Sequence, residues 1–456
     1  MFTFKDCITT IPIFRFVYDH VHLCSPLGRK ELLQSPFITE AATLEICINE
    51  IEKVLIWQEF YPEQLHRIKQ LLSSIQDIFG TLSRLKNNDA LDDIELFEIK
   101  KSALIIHDLN EILTSTSFPL FTLHEVNDVI KILDPENSLL PHFYIYSSYS
   151  KELTALRNKS NTTTVPEEKE DLLWQISKLE NKIRQNLVKK LILFAAHLEH
   201  NLQSIAKLDL WLAKAALALE WNCCKPEISD SAISYTGLFH PVVVHRLKKE
   251  NTEFQPVNIE LKQEPCLITG ANMTGKSIFL RAIAFSQWMF QFGFYVPAQK
   301  ASITPVEKIH FVAGDSNTEH TGLSSFVNEI FHIHHILKEV KENKKMLILV
   351  DEFARTTNPK EGSALVTAFL EMMNHKKVIC LVTTHYNVEG NFRRLRVKGI
   401  QWDKLEHIKT NPHELNKYID YQLEDCNEKT APEEAVKVAE ILAIDDAFIS
   451  LVKKYL

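Results

Sequence analysis

The sequence predicts an α-helical domain followed by an α/β domain, and the distribution of glycine is the first observation behind this fold class. The chain has 456 residues but 11 glycines, whereas an average usage of about 7% would give roughly 32. Only Gly28 and Gly80 lie before residue 237, and the other nine lie at or after it. Because tight turns depend on glycine, we expect mostly helix in the first half. The predicted boundary is the loop from Lys225 to Gly237.

Apolar residues recur at helical spacing in the first half, which is the second observation. This spacing predicts a helix from Thr39 to Phe60 and another from Glu63 to Phe79, ended by Gly80. The longest region, from Glu167 to Lys225, contains neither glycine nor proline. As one continuous helix it would measure about 80 Å at 1.5 Å per residue. Two packed helices with a break near Leu198 are the alternative.

Three short apolar runs in the second half are the third observation. They are Cys266–Ile268, Met346–Val350 and Val378–Val382, and each is bounded by polar residues. Strands that are buried on both faces of a parallel sheet have this composition. The helical segments between the runs predict β–α–β units and a sheet covered by helices. At the end of the chain, the pattern from Pro432 to Leu456 predicts a pair of helices.

Composition and charge exclude several other classes of protein. Hydrophobic residues make up 45% and charged residues 24%, which excludes a disordered or collagen-like chain. The net charge of −8 argues against a protein that wraps nucleic acid, since such proteins carry a basic excess. The eight cysteines include no C-x-x-C pair, which predicts reduced thiols in a cytoplasmic protein. There is no signal-peptide pattern and no run of about 18 apolar residues, so we expect no membrane span.

The segment Gly270-Ala-Asn-Met-Thr-Gly-Lys-Ser277 fits the phosphate-loop pattern G-x-x-x-x-G-K-[ST] and lies between a predicted strand and a predicted helix. In such a loop, backbone N–H groups converge on phosphate oxygens at the positive end of the helix. Lys276 would neutralise the β and γ phosphates of ATP, and the Ser277 hydroxyl would bind Mg²⁺. The loop residues predicted to bind nucleotide on this pattern are Gly270, Met273, Thr274, Gly275, Lys276 and Ser277.

Two other strand ends carry polar residues that suit ATP hydrolysis. The run Met346–Val350 ends in two carboxylates, of which Asp351 would hold Mg²⁺ and Glu352 would polarise the attacking water. The run Val378–Val382 is followed by His385, which could sense the γ-phosphate or the water. The sequence therefore predicts an ATPase that uses ATP and Mg²⁺, with Glu352 and His385 as its catalytic residues.

Five segments, in the order in which they occur, resemble the ATPase domain of the DNA mismatch repair MutS family, a phosphate-loop (P-loop) fold related to the ABC ATPases. The segments are Gly270–Ser277, Gly293–Lys300, Gly322–Phe326 with Glu329, Asp351–Glu352 and Thr384–Tyr386. The resemblance is strong from residue 231 to 400 and weaker on either side. It implies an all-α core and lever domain at 1–230, an α/β P-loop NTPase domain at 231–410 and a C-terminal helical dimerisation element at 411–456.

The same resemblance implies further roles for residues outside the patterns above. Phe254 matches the aromatic residue that stacks on adenine, and Asn272 matches the asparagine of the phosphate loop. Ser324 matches the serine that contacts nucleotide bound to the other subunit. The resemblance thus implies a dimer with two composite ATP sites, formed with a second copy or with a related subunit.

The sequence departs from the family pattern at its DNA-contacting parts. We expect no mismatch-reading domain before residue 20, and no clamp domain, because only the polar stretch Arg157–Thr164 stands before the long helix. The segment after Asp351–Glu352 also differs, since Ala354–Pro359 replaces the usual Gly-Thr-Ser. We therefore expect weak DNA binding without mismatch preference.

One branch of the family is similar in these details. The MutS-like ATPases associated with cobalamin-dependent lysine aminomutases resemble this sequence at Gly322–Phe326, Ala354–Gly362 and Leu381–Tyr386. That likeness implies an ATP-driven switch that reactivates a protein client, plausibly an aminomutase. A DNA-structure-binding relative of the mismatch repair proteins is the alternative.

Overall fold

The computed structural model describes residues 2–138, 142–270, 274–313, 325–355, 357–405, 415–426, 435–442 and 444–455. The chain forms two compact units. The first contains Met1–Thr10, Val17–Pro36 and Asn49–Ala216. The second contains Ile11–Phe16, Phe37–Ile48 and Leu217–Leu456.

The part of the chain described between residues 2 and 220 is built from helices joined by loops. In chain order these helices are α1 (Phe4–Thr10), α2 (Pro12–His20), α3 (Pro26–Gln34), α4 (Ala41–Phe60), α5 (Pro62–Ser74), α6 (Phe79–Lys86), α7 (Asp93–Ser115), α8 (Asn127–Leu133), α9 (Lys151–Thr162), α10 (Pro166–Leu191) and α11 (Ala195–Glu220). The helix predicted from residue 39 to 60 is confirmed as α4.

The long helical region after residue 166 is also confirmed. Pro166 occupies the first turn of α10, with acidic residues beside it and Lys189 and Lys190 in the last turn, which complements the helix dipole at both ends. A 3₁₀ turn at Ile192–Phe194 joins α10 to α11, and the residues on both sides keep right-handed helical backbone angles. Leu198 lies inside α11, so there is no break at that residue.

The prediction that Gly80 ends a helix is wrong. Helix α5 ends at Ser74, and Gly80 lies in the first turn of α6. The Asp77 carboxylate accepts a hydrogen bond of 3.1 Å from the backbone N–H of Phe79, the first residue of α6. A Cβ atom at Gly80 would meet nothing within 4 Å, so neither a turn nor close packing requires glycine there.

A buried carboxylate on α11 organises the start of α3 in the first unit. Asp209 is 1% exposed and accepts hydrogen bonds from the N–H groups of Cys24 (3.0 Å) and Ser25 (2.7 Å) and from the Ser25 hydroxyl (2.6 Å). The Ser25 hydroxyl in turn accepts a bond from the N–H of Gly28 and caps α3. A Cβ atom at Gly28 would lie 2.3 Å from the Asp209 carboxylate, so the close approach requires glycine.

The second unit adds strands and further helices. The strands are β1 (Glu227–Ile228), β2 (Ile233–Leu238), β3 (Val257–Leu261), β4 (Pro265–Thr269), β5 (Lys300–Ile303), β6 (Lys308–Ala313), β7 (Met346–Asp351), β8 (Val378–Thr383), β9 (Arg393–Ile400) and β10 (Ile419–Asp425). The helices are α12 (Pro241–Lys249), α13 (Lys276–Gln291), α14 (Ser325–Val340), α15 (Pro359–Met373), α16 (Ala435–Ile441) and α17 (Asp446–Lys454).

The larger sheet has the strand order β10-β9-β4-β8-β7-β6. All neighbours pair in parallel except β10, which runs antiparallel to β9. Every residue of β4, β7 and β8 is buried, so the three apolar runs predicted to lie in a parallel sheet are confirmed. A smaller sheet has the order β1-β5-β2-β3. The carboxyl ends of β4, β7 and β8 therefore meet at one edge of the larger sheet.

Two short segments from early in the chain belong to the second unit because their aromatic residues pack on α13. The ring centroid of Phe37 lies 5.1 Å from that of Trp288, and the centroid of Phe14 lies 5.9 Å from that of Phe292. The N–H of Ile38 donates to the carbonyl of Gln291 at 2.8 Å. No sequence pattern indicates this arrangement.

The predicted pair of helices near the end of the chain is confirmed as α16 and α17. Asp445 caps α17 by accepting a bond from the N–H of Phe448. Ile449 is buried, whereas Phe448 and Leu451 are each more than half exposed. No helix in the described ranges is long and apolar enough to cross a membrane.

Replacing Asp209 by alanine should destabilise the first unit. The change leaves one buried N–H group, one partly buried N–H group and a buried hydroxyl without their acceptor, which costs roughly 3 kcal/mol of the free energy of unfolding. Denaturant titration of the full chain measures this loss. Asp89→Ala is the matched control, since Asp89 is exposed. Equal unfolding midpoints for the two variants would contradict the assigned role of Asp209.

Candidate nucleotide-binding site

The turn from β4 to α13 contains the predicted phosphate loop, and the structure describes both of its ends. Gly270, directly after β4, has φ of 153°, and Gly275, at the start of α13, has φ of 80°. Side-chain-bearing residues rarely adopt either conformation. A Cβ atom at Gly275 would also lie 3.1 Å from the Tyr421 ring. Both glycines of the motif are therefore required by the backbone.

Several residues predicted to bind nucleotide lie outside the described residues. They are Asn272 and Met273 of the loop and Ser324, which stands directly before α14. Of the remaining loop residues, Thr274 is buried and Ser277 is half-buried in the first turn of α13. The structure therefore positions the two ends of the loop.

Lys276 is held inside the site. Its side chain is 4% exposed, and its Nζ donates a hydrogen bond of 2.8 Å to the Gly270 carbonyl. Burial lowers the pKa of the Lys276 ammonium, whereas the charges of Glu352 and Asp351 act in the opposite direction. The charges at the end of β7 thus act on the ammonium at the start of α13.

Thr383, at the end of β8, forms hydrogen bonds with both acidic residues at the end of β7, through the carboxylate of Asp351 and the backbone N–H of Glu352. Its hydroxyl donates to Asp351 Oδ1 at 2.8 Å. Its hydroxyl and carbonyl oxygens accept from the N–H of Glu352 at 3.0 and 3.1 Å. Asp351 is buried at the strand end, and its carboxylate is thus oriented by the neighbouring strand. The sequence analysis gave Thr383 no role, although it stands in the polar tip of a predicted strand.

The residues after Asp351 form a turn with unusual backbone angles. Glu352 has φ of 51° and Ala354 has φ of 60°, both in the left-handed region. The Glu352 carboxylate pairs with the Arg355 guanidinium at 3.1 Å. The Arg355 side chain is about half exposed, so the contribution of this pair is small. The turn therefore presents the Glu352 carboxylate at the strand edge, with a cation beside it.

His385 lies two residues after β8 and is coupled to the same charges. Partial burial lowers its pKa, the nearby cations Lys276 and Arg355 lower it further, and Glu352 raises it. Since the ordinary histidine pKa is about 6.5, the lowered value leaves the imidazole neutral at neutral pH. His385 can therefore donate one hydrogen bond and accept another at the strand edge.

The donor atoms near Asp351 suit magnesium. Mg²⁺ prefers oxygen ligands, and it is bound in phosphate sites by one or two carboxylates together with phosphate oxygens. Asp351 offers a buried carboxylate at the end of β7, and Ser277 offers a hydroxyl in the first turn of α13. Both residue types fit the ion, so these two side chains are the ones that would hold it.

A tyrosine that the sequence analysis did not single out covers one side of the loop. Tyr421, on β10, packs its ring against Gly275. Its backbone N–H donates to Gln255 Oε1 at 3.0 Å, next to the half-buried Phe254. Burial raises the pKa of the Tyr421 hydroxyl. The strand β10 thus brings an aromatic ring to the loop from a part of the sequence that has no recognisable nucleotide motif.

The second unit is an α/β structure whose polar strand ends meet at one edge of a sheet, and comparison with known proteins shows what this part of the chain is similar to. Residues 266–455 match MutS domain V. The DNA mismatch repair protein MutS of Thermus aquaticus is 37% identical over 182 residues, which are 40% of this chain and 22% of that protein. MutS of Treponema pallidum (strain Nichols) is 33% identical over 218 residues, which are 46% of this chain and 24% of that protein. MutS of Rickettsia akari is 31% identical over 284 residues, which are 60% of this chain and 30% of that protein.

Residues 266–455 are thus similar to MutS domain V, an ATPase domain, and the chain is homologous to MutS proteins over the matched segments. The resemblance expected from the sequence is confirmed for this domain. The chain spans less than a third of the length of each of these relatives, which are between 31% and 37% identical to it over the matched segments.

The charges around His385 give a prediction with opposite signs for two variants. Glu352→Gln should lower the pKa of His385 further, because the lost carboxylate favours the imidazolium form. Lys276→Ala should raise it, because the lost ammonium disfavours that form. Titration of ¹³C-labelled histidines by NMR measures both shifts, and the exposed Glu371→Gln is the matched control. Shifts of the same sign, or none, would contradict the coupling of these three groups.

Proposed function

We propose that this chain is an ATP-binding and ATP-hydrolysing switch of the MutS type. The observation that carries this proposal is the position of Lys276, bonded to Gly270 after β4, and of Asp351, bonded to Thr383 of β8, at one edge of a parallel sheet. Homology to MutS domain V supports it independently.

In this proposal each side chain has a separate task. Lys276 transfers its hydrogen bond from the Gly270 carbonyl to the β and γ phosphates of ATP. Asp351 and Ser277 hold Mg²⁺, which neutralises charge on the phosphate oxygens. Glu352 accepts a proton from the attacking water, and His385 contacts the γ-phosphate or that water.

Further contacts complete the proposed ATP site. The phosphates are bound by further residues of the loop, which are Gly270, Asn272, Met273, Thr274 and Gly275. Phe254 stacks on the adenine. This agrees with its position beside Gln255, whose side chain accepts a hydrogen bond from the backbone of Tyr421 on β10. Ser324 contacts the nucleotide of a second subunit, so the active form is a dimer with itself or with a related chain. The exposed Phe448 and Leu451 of α17 support a dimerisation element at 411–456.

The client of the switch is proposed to be a protein, with a cobalamin-dependent aminomutase as first candidate. This choice is supported by a resemblance to the aminomutase-associated branch, which covers the segments Gly322–Phe326, Ala354–Gly362 and Leu381–Tyr386. The helical part also supports it, because residues 163–165 alone separate α9 from α10 and leave no inserted clamp between them. DNA is the second candidate, because the relatives are DNA mismatch repair proteins by name.

Two substitutions separate ATP binding from hydrolysis. Lys276→Ala should abolish ATP binding, because the cationic partner of the phosphates is lost. Glu352→Gln should keep binding and lose turnover, because an amide accepts a proton far less readily than a carboxylate. Calorimetric titration and phosphate release measure the two effects, with the exposed Lys376→Ala and Glu371→Gln as matched controls. Equal turnover in Glu352→Gln and the wild type would refute the assignment of Glu352.

A comparison of clients decides between protein and DNA. We expect no preference for mismatched duplex and a dissociation constant no tighter than about micromolar at physiological salt, which is the non-specific range. ATP hydrolysis should instead rise when an inactivated aminomutase is added. The experiment titrates matched, mismatched and branched duplexes at two salt concentrations beside an ATPase assay with the mutase. Tight and salt-tolerant binding to one DNA structure would favour the DNA function.

A further inference from the structure

The turn that presents Glu352 has a backbone conformation that its own residues do not favour. Ala354, two residues after Glu352, has φ of 60°, where an alanine Cβ crowds the backbone and glycine does not. The residue is fully buried, so water cannot satisfy its backbone groups. Other parts of the second unit must therefore hold Ala354 in place.

Two buried side chains bind the backbone of Ala354 from different elements. Glu329, on α14, accepts a hydrogen bond of 3.1 Å from the Ala354 N–H through Oε2. Tyr386, after β8, donates its hydroxyl to the Ala354 carbonyl at 2.7 Å. Their exposed fractions are 4% and 5%. The Ala354 carbonyl also accepts from the backbone N–H of Thr357 at 3.1 Å. Side chains from two other parts of the second unit thus bind both hydrogen-bonding groups of this residue, and Glu329 is the partner of its N–H.

The carboxylate of Glu329 is costly to bury for stability alone. Its second oxygen, Oε1, has no hydrogen-bond partner among the residues that the structure describes. Burial raises its pKa, while the Ala354 N–H and the Arg355 charge act in the opposite direction. A buried carboxylate with one satisfied oxygen is typical of a group kept for a specific contact. That contact is the N–H of the turn beside Glu352.

Tyr386 is fixed as firmly as Glu329. Its ring packs on α15 at Gly362, where a Cβ atom would come within 2.5 Å of the ring. Its backbone N–H donates to the Thr384 hydroxyl at 3.1 Å. The turn is bound by α14 on one side and by the segment after β8 on the other.

We propose that Glu329 and Tyr386 are positioning residues that hold Ala354 in the left-handed conformation and thereby aim the Glu352 carboxylate at the attacking water. This inference rests on the proposed ATPase function. It makes α14 part of the hydrolytic machinery, because displacement of α14 moves Glu329 and releases the turn. ATP binding uses the loop before α13 and does not depend on these two contacts.

The test first removes each of the two contacts by substitution and then replaces Ala354 by glycine, which adopts positive φ without them. Glu329→Ala and Tyr386→Phe should each lower kcat by about tenfold, the size expected for one lost positioning hydrogen bond, with ATP affinity within about twofold of the wild type. Glu329→Gln should retain most of the turnover, because an amide oxygen still accepts from the Ala354 N–H. Tyr149→Phe is the matched control, since its hydroxyl also donates to a backbone carbonyl at 2.7 Å, in the first unit.

Glycine at position 354 provides the decisive measurement. Glycine adopts positive φ without steric crowding. Adding Ala354→Gly to Glu329→Ala or to Tyr386→Phe should therefore raise the kcat of each variant at least about fivefold. A purely structural role predicts no such rescue. Wild-type kcat in both single variants, or a loss that Ala354→Gly does not relieve in a folded and ATP-binding protein, would overturn the proposal. If Glu329→Ala does not fold, Tyr386→Phe and its double variant give the same test.

The proposed ATPase function can fail separately from this inference. If wild-type turnover equals that of Lys276→Ala, the ATPase proposal itself is refuted. If the wild type hydrolyses ATP and the glycine rescue does not occur, the positioning role alone is refuted.

Discussion

The buried ammonium of Lys276 lies at the carboxyl edge of a parallel sheet, and the polar residues of the candidate site surround that charge. Desolvation lowers the pKa of the ammonium, and the carboxylates of Asp351 and Glu352 oppose this effect. The Gly270 carbonyl accepts one of its protons, which satisfies the group inside a turn that the two glycines make possible. A buried cation requires carboxylates nearby, and here they come from the end of β7, which β8 separates from β4.

The sheet meets this requirement through its strand order. Because β8 lies between β4 and β7, Thr383 can bind both Asp351 and the N–H of Glu352 while the loop lies on its other side. His385 follows on the same strand end and is kept neutral by burial and by the cations around it. Sites at the carboxyl ends of parallel strands are usual in α/β proteins, because side chains from several strands converge there.

The sequence predicted the parts of this site whose signal is local. The phosphate loop, Asp351 and Glu352 stand at fixed spacings after apolar strands, so a single segment contains all the information needed. The roles of Thr383, Tyr421 and Glu329 depend on contacts between segments far apart in the chain. The same limit applies to Phe14 and Phe37, whose packing on α13 assigns two early segments to the second unit. At Gly80 the prediction failed because a glycine tolerated inside a helix cannot be told apart from one that ends it.

A crystal structure of the chain with Mg²⁺ and a non-hydrolysable ATP analogue tests the central claim most directly, since it shows what the Lys276 cation binds when phosphate is present. The account predicts that Nζ leaves the Gly270 carbonyl for the β and γ phosphates. It also predicts that Asp351 and Ser277 contact the ion and that Glu352 faces the γ-phosphate. Nucleotide bound elsewhere, or a Lys276 that remains on Gly270 with phosphate beside it, would contradict the account.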